Sequence, residues 1–162
     1  MVVKIGDSLP GGTLWELERK PGGGPKEYSV RDLCVSKRIV IFGLPGAFTP
    51  TCSASHLPGF VIHSDEILNH VDEIWCLSVN DAFVMDAWGL DQNVEDKVMM
   101  LADGSGYFTK AIGQELDRME AGMGMRSARY AMIVDDGLVT EMLCEEPGAF
   151  EVSSAEYVLT KL

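Results

Sequence analysis

Three short apolar runs constrain the fold of this chain more than any other feature. They are Arg38-Ile39-Val40-Ile41-Phe42-Gly43-Leu44, Ile74-Trp75-Cys76-Leu77-Ser78-Val79 and Lys97-Val98-Met99-Met100-Leu101-Ala102. Each is too short for a helix and apolar at consecutive positions, the pattern of a strand covered on both faces. Helical pattern fills the gaps between them. One stretch runs from Pro50 to Val71 with an interruption at Pro58-Gly59, and another opens at Asp81 or Asn80 and continues through Trp88. Asp103-Gly104-Ser105-Gly106 stops the third strand. Later, Tyr130 to Val134 and Leu138 to Cys144 flank Asp135-Asp136-Gly137, a hairpin signal. Ser153-Ser154-Ala155-Glu156 has capping-box spacing and opens a C-terminal helix. Strands alternating with helices, followed by a hairpin and a helix, predict an α/β fold with a central mixed β-sheet and helices on both faces. The loose stretch Lys20-Pro21-Gly22-Gly23-Gly24-Pro25 joins two short early segments and is too short to link domains. With 162 residues and no internal repeat, a single domain spanning 1–162 is expected.

The charge balance narrows the partners. Lys and Arg number 13 against 25 Asp and Glu, a formal charge of −12. A nucleic-acid binder needs a cationic face to release counterions, and anionic lipid demands the same, so neither partner is expected. No apolar stretch is long enough to span a bilayer. The N-terminus Met1-Val2-Val3-Lys4-Ile5-Gly6-Asp7 has no secretory or transit character, so the chain reads as cytoplasmic, or organellar if a presequence has been removed. Four scattered cysteines, Cys34, Cys52, Cys76 and Cys144, with no C-x-x-C pair, fit free thiols in a reducing compartment better than a disulfide scaffold.

One cysteine stands in a reactive context. In Pro45-Gly46-Ala47-Phe48-Thr49-Pro50-Thr51-Cys52 a buried strand gives way to a helix. Thr49 suits the N-cap and Pro50 the first helical position, where a missing N–H costs nothing. Cys52 then lies in the first turn, facing unpaired backbone N–H groups and the positive end of the helix dipole. Both favour a nucleophilic thiolate. Read without further context, Cys52 is equally well a small buried hydrophobe.

The string from Pro45 through Ser53, continued by His56-Leu57-Pro58-Gly59-Phe60, resembles the active-site signature of the type II, or peroxiredoxin-five, subfamily of peroxiredoxins. Cys76 to Phe83, Leu101 to Gly106 and Arg126-Ser127-Ala128-Arg129-Tyr130-Ala131-Met132 extend the resemblance over essentially the whole chain. It implies a thioredoxin-like fold and the reduction of hydrogen peroxide and alkyl hydroperoxides. Cys52 matches the peroxidatic position, where a thiolate attacks the O–O bond and becomes a sulfenic acid. The resemblance gives Thr49 a hydroxyl contact with the peroxide, Pro45 a cover over the thiolate, and an arginine a grip on both. Arg129, directly before the aromatic Tyr130, matches that arginine, and Arg126 is left as a surface or dimer-contact residue. No cofactor and no metal is implied.

Regeneration and assembly follow from the same likeness. Where some members carry a C-terminal resolving cysteine, this chain reads Phe150-Glu151-Val152-Ser153-Ser154. Cys76 matches the second cysteine of plant-type members and is the candidate resolving residue, though its place within a strand fits a buried structural thiol at least as well. An external thiol is therefore expected to attack the sulfenic acid, with glutathione and glutaredoxin the first choice and thioredoxin the second. Cys34 and Cys144 read as buried strand-edge thiols. His56, His63 and His70 are spaced by seven, but Pro58-Gly59 breaks the register, and His56 is expected to be a hydrogen-bonding structural residue. Met119 to Met125 reads as a flexible gap-filling segment or, alternatively, as an apolar rim near the thiol or at a subunit contact. The resemblance implies a homodimer, with Phe48, Phe83 and Trp88 as aromatic contacts. The competing reading is a thioredoxin-like redox-sensing or chaperone module without turnover, which would not require Thr49, Cys52 and Arg129 together.

Overall fold

The three apolar runs lie side by side as parallel strands at the centre of a larger sheet. In a computed structural model covering residues 1–162, the strands are β1 (Thr13–Leu17), β2 (Pro25–Ser29), β3 (Arg38–Gly43), β4 (Glu73–Ser78), β5 (Met99–Ala102), β6 (Glu115–Arg118), β7 (Gly124–Ser127), β8 (Tyr130–Asp135) and β9 (Leu138–Cys144). The helices are α1 (Val30–Cys34), α2 (Leu57–Ile62), α3 (Ser64–Leu68), α4 (Ala82–Asp91), α5 (Tyr107–Ala111) and α6 (Ala155–Leu159). Seven strands form one sheet in the order β2-β1-β5-β4-β3-β8-β9, and β6 and β7 pair as a separate ribbon. β3, β4 and β5 are mutually parallel, while β8 runs antiparallel to β3, so the sheet is mixed as expected.

Strand alternation divides the core. Ile39, Ile41, Trp75, Leu77 and Leu101 face one layer with Val30 of α1 and Phe108 of α5. Val40, Phe42, Ile74, Cys76 and Met100 face the other, with Phe60 of α2, Met85 and Trp88 of α4 and Val158 of α6. Helices thus cover both faces. Each fully buried Ile or Phe contributes roughly 1.5–3 kcal/mol through removal from water. Gly43 is required in this packing: a Cβ there would sit 2.2 Å from Cε1 of Tyr130, whose ring lies across the β3 backbone. The hairpin turn between β8 and β9 places Asp136 at φ 47° and Gly137 at φ 80°, the left-handed pair that a two-residue hairpin needs.

Several boundaries differ from the sequence reading. β5 starts at Met99, because Lys97 turns back to bond the Val94 carbonyl. The N-cap of α6 is Ser154, which accepts from the Tyr157 N–H at 3.2 Å, while Ser153 is engaged elsewhere. Of the Met119 to Met125 stretch, Met119 to Met123 form the turn of the β6–β7 ribbon, with a single 3₁₀ turn at Met119–Ala121, and Gly124 and Met125 already belong to β7. Pro58-Gly59 does not interrupt the helix. The chain is helical from Pro50, widens into a π-turn over Cys52–His56, and continues into α2. Pro58 explains the widening: it has no N–H for the carbonyl four residues back, and its ring would clash there in a regular α-helix. The Leu57 N–H reaches the Cys52 carbonyl instead.

Candidate active site

The site forms where β3 ends. After Gly43, the Leu44 N–H bonds to the Leu77 carbonyl at 3.3 Å and the chain turns at Pro45. Asn80, beyond the end of β4, accepts from the Ala47 N–H at 3.0 Å and so ties the loop to the sheet. Phe48 sits in the left-handed region at φ 63°, which turns the chain into the helix. The first helical bond runs from the Ser53 N–H to the Thr49 carbonyl at 2.9 Å. The Thr49 side chain does not cap the helix as expected; its hydroxyl donates to the Gly46 carbonyl at 2.7 Å, tightening the loop under the site. No backbone carbonyl accepts the Cys52 N–H, which remains a free donor beside its own sulfur.

Cys52 is fully buried, yet its sulfur is not enclosed by hydrocarbon alone. Arg129, just before β8, brings Nη2 to 3.3 Å from Sγ. Its Nη1 donates to His56 Nδ1 at 2.8 Å. The other ring nitrogen of His56 lies 2.9 Å from the Ser153 carbonyl, which can only accept, so Nε2 carries the proton and Nδ1 offers a lone pair. Burial first, and the Arg129 charge second, hold the His56 pKa down at about 3. The imidazole is therefore neutral at physiological pH. Phe42, Phe60 and Phe150 surround its ring, with centroids 5.0, 5.7 and 5.1 Å away. The expected structural role of His56 holds, and its partner is the arginine.

A cleft of about 400 Å³ adjoins this group, with Pro45, Thr49, Met123, Arg129, Glu145 and Pro147 in its lining. Pro45, Thr49, Cys52 and Arg129, four residues singled out in the sequence, are thus brought together. Arg126, expected as a surface or dimer-contact residue, is tied within the chain beside the site. Its Nε donates to the Met123 carbonyl at 2.8 Å and its Nη1 to the Pro45 carbonyl at 3.4 Å, which pins the β6–β7 ribbon against the loop over the thiol. Trp88 is likewise not a surface contact: it is fully buried, and its indole N–H donates to Ser53 Oγ at 3.0 Å. Phe48 and Phe83 are exposed.

The other thiols separate by environment. Cys76, mid-strand in β4, is fully buried, and burial followed by the nearby Cys52 pushes its thiol well above the ordinary range. Cys34 is buried at the end of α1, not at a strand edge. It lines a separate hollow of about 360 Å³, and burial raises its pKa to about 11, which makes it a poor nucleophile. Cys144, at the end of β9, is exposed rather than buried, and Gln114 donates to its sulfur at 3.4 Å. His63 faces Glu156 at 3.2 Å, away from the thiol. Glu145, Phe150 and Ser153 were missed as site residues, since nothing local in their sequence announces a contact with Cys52's surroundings.

Comparison with known proteins gives one family. A family model described as Redoxin matches residues 4–159. The chain is 47% identical to Peroxiredoxin-2E, chloroplastic, of Arabidopsis thaliana, over 99% of this chain and 69% of that protein. It is 43% identical to Peroxiredoxin-2D of the same plant, over 99% and 98% of the two. The crystal structure of reduced Prx3 from Vibrio vulnificus in complex with hydrogen peroxide matches with a TM-score of 0.93 at 47% identity, covering 99% of each chain. The architecture is accordingly thioredoxin-like.

Proposed function

The chain belongs to the peroxiredoxin family of thiol peroxidases, and from that premise we propose that Cys52 is its peroxide-attacking thiol, in a site of the type II, peroxiredoxin-five kind. The observation that carries this reading is the Arg129 guanidinium, which brings Nη2 to 3.3 Å from the Cys52 sulfur while Arg129 also lines the adjoining cleft. The positive charge stabilises the thiolate. As the thiolate attacks one peroxide oxygen, the O–O bond breaks, and water or an alcohol leaves after taking a proton. Negative charge grows on the departing oxygen, and Arg129 together with the free Cys52 N–H supplies donors for it. Thr49, whose hydroxyl is already oriented by the Gly46 carbonyl, offers its oxygen to the proton of the bound peroxide. Pro45 closes one wall and limits water at the sulfur.

The cycle is completed by an external thiol. Its sulfur bonds to the sulfenic sulfur and releases water; a second thiol then frees Cys52 as a disulfide leaves. Glutathione with glutaredoxin is the first choice of donor and thioredoxin the second. Cys76 is a poor internal resolver, because it is fully buried in mid-sheet with a strongly raised pKa. Hydrogen peroxide and alkyl hydroperoxides both suit a cleft of this volume. A homodimer through the exposed Phe48 and Phe83 and a cytoplasmic or organellar compartment complete the proposal. The test is steady-state peroxide consumption with each donor system. Turnover that survives Cys52→Ser overturns the assignment, and a Cys52–Cys76 disulfide after one equivalent of peroxide overturns the external-thiol cycle.

A further inference from the structure

We propose that Glu145, Ser153 and His56 form a positioning relay that aims the Arg129 guanidinium at the Cys52 sulfur. The proposal rests on the reading of Cys52 as the reacting thiol. A guanidinium carries five N–H donors, and nothing in its own chemistry decides which one faces the sulfur. Here the choice is made by a closed circuit of hydrogen bonds. Arg129 Nη1 donates to His56 Nδ1 at 2.8 Å, which leaves Nη2 for Cys52. His56 can accept there only while its proton stays on Nε2, and the Ser153 carbonyl holds it there at 2.9 Å.

The Ser153 carbonyl is fixed in turn. One oxygen of Glu145, Oε1, accepts from the Ser153 N–H at 2.8 Å, the Ser153 hydroxyl at 2.8 Å and the Glu151 N–H at 2.7 Å. The circuit then returns to its start, because the Glu145 N–H donates to the Arg129 carbonyl at 3.1 Å. Ser153 and His56 are both fully buried. Phe150, within the same loop, lies 5.8 Å from the guanidinium carbon and 5.1 Å from the His56 ring, covering the joint between them.

The chemistry of the order is informative. A carboxylate placed directly against Arg129 would fix the guanidinium but also offset the positive charge that the thiolate needs. A neutral imidazole accepts the hydrogen bond without that loss. The anion is kept three hydrogen bonds away, with Ser153 and His56 between, where it organises the Glu151 and Ser153 donors instead of pairing with the arginine. Ser153 therefore does positional work in the very segment where some relatives carry a resolving cysteine.

The test is single-turnover oxidation of Cys52 by hydrogen peroxide, followed by rapid trapping of the sulfenic acid. Glu145→Ala is expected to slow oxidation about tenfold and His56→Leu roughly tenfold to a hundredfold, the loss of one or two charge-linked hydrogen bonds. Glu145→Gln, which keeps the acceptor, is expected to restore most of the rate. The decisive arm is a double-mutant cycle. In an Arg129→Met background, where no guanidinium remains to aim, Glu145→Ala is expected to change the residual rate less than about twofold. A merely structural role for Glu145 would slow both backgrounds alike, and that result overturns the relay. So does a Glu145→Ala rate equal to wild type while Cys52 is oxidised normally. If His56→Leu does not fold, the Glu145→Ala and Glu145→Gln pair carries the same comparison. Wild-type protein whose Cys52 fails to react with peroxide would instead sink the peroxidase reading itself, and the relay with it.

Discussion

Replacing His56 by Gln should make the protein less sensitive to mild acid, even though it weakens the site. His56 is buried against Arg129 and has its pKa held at about 3, below the 6.5 of an ordinary histidine. Between those values the unfolded chain takes up a proton that the folded chain refuses. Stability therefore falls as pH drops through that window, and above it His56 contributes no slope. The slope approaches about 1.4 kcal/mol per pH unit, so a fall from neutrality to roughly pH 5 costs about 2 kcal/mol. Over the full window the loss is about 5 kcal/mol, comparable with the whole stability of many domains. The assay is urea unfolding of wild type and His56→Gln at a series of pH values. Taking the difference removes the contribution of the carboxylates common to both proteins. At neutral pH the wild type should be the more stable, and its advantage should shrink by about 2 kcal/mol by roughly pH 5. Parallel curves would refute the reasoning, because they would mean that His56 titrates freely in the folded state and cannot hold a fixed lone pair toward Arg129.

Other expectations follow from single contacts. Gly43→Ala forces a Cβ to within 2.2 Å of the Tyr130 ring and should destabilise the fold by about 1–3 kcal/mol, read as a lower urea midpoint with an unchanged slope. Cys76→Ala should leave turnover with glutathione and glutaredoxin intact, since the thiol is sealed within the sheet; loss of turnover would make Cys76 a resolving residue after all. Phe83→Asp, at an exposed aromatic at the start of α4, should shift sedimentation from dimer to monomer, and an unchanged dimer would move the subunit contact elsewhere.

What the sequence revealed depended on burial. The runs that became β3, β4 and β5, and the hairpin of β8 and β9, are read correctly because their side chains pack against two layers or one, and that need writes a pattern. β2, with the exposed sequence PKEYS, and β6, with ELDR, bury almost nothing and so leave little trace. The strand-to-helix turn places Cys52 correctly, but the hydroxyl of Thr49 finds the Gly46 carbonyl rather than the helix N–H groups, a choice that local propensity does not settle. Pro58 reads as a helix break, yet the π-turn absorbs it. The partners of His56 were out of reach for a different reason. Arg129 lies 73 residues away along the chain and Ser153 lies 97, so only the folded topology brings them to one imidazole.

The most direct measurement is to expose the reduced protein to one equivalent of hydrogen peroxide, trap sulfenic acid with a carbon nucleophile, and map the adduct by mass spectrometry. The account predicts an adduct on Cys52, formed far faster than on any other thiol and slowed by Arg129→Met. An adduct that forms first on the exposed Cys144, with Cys52 left reduced, would contradict it.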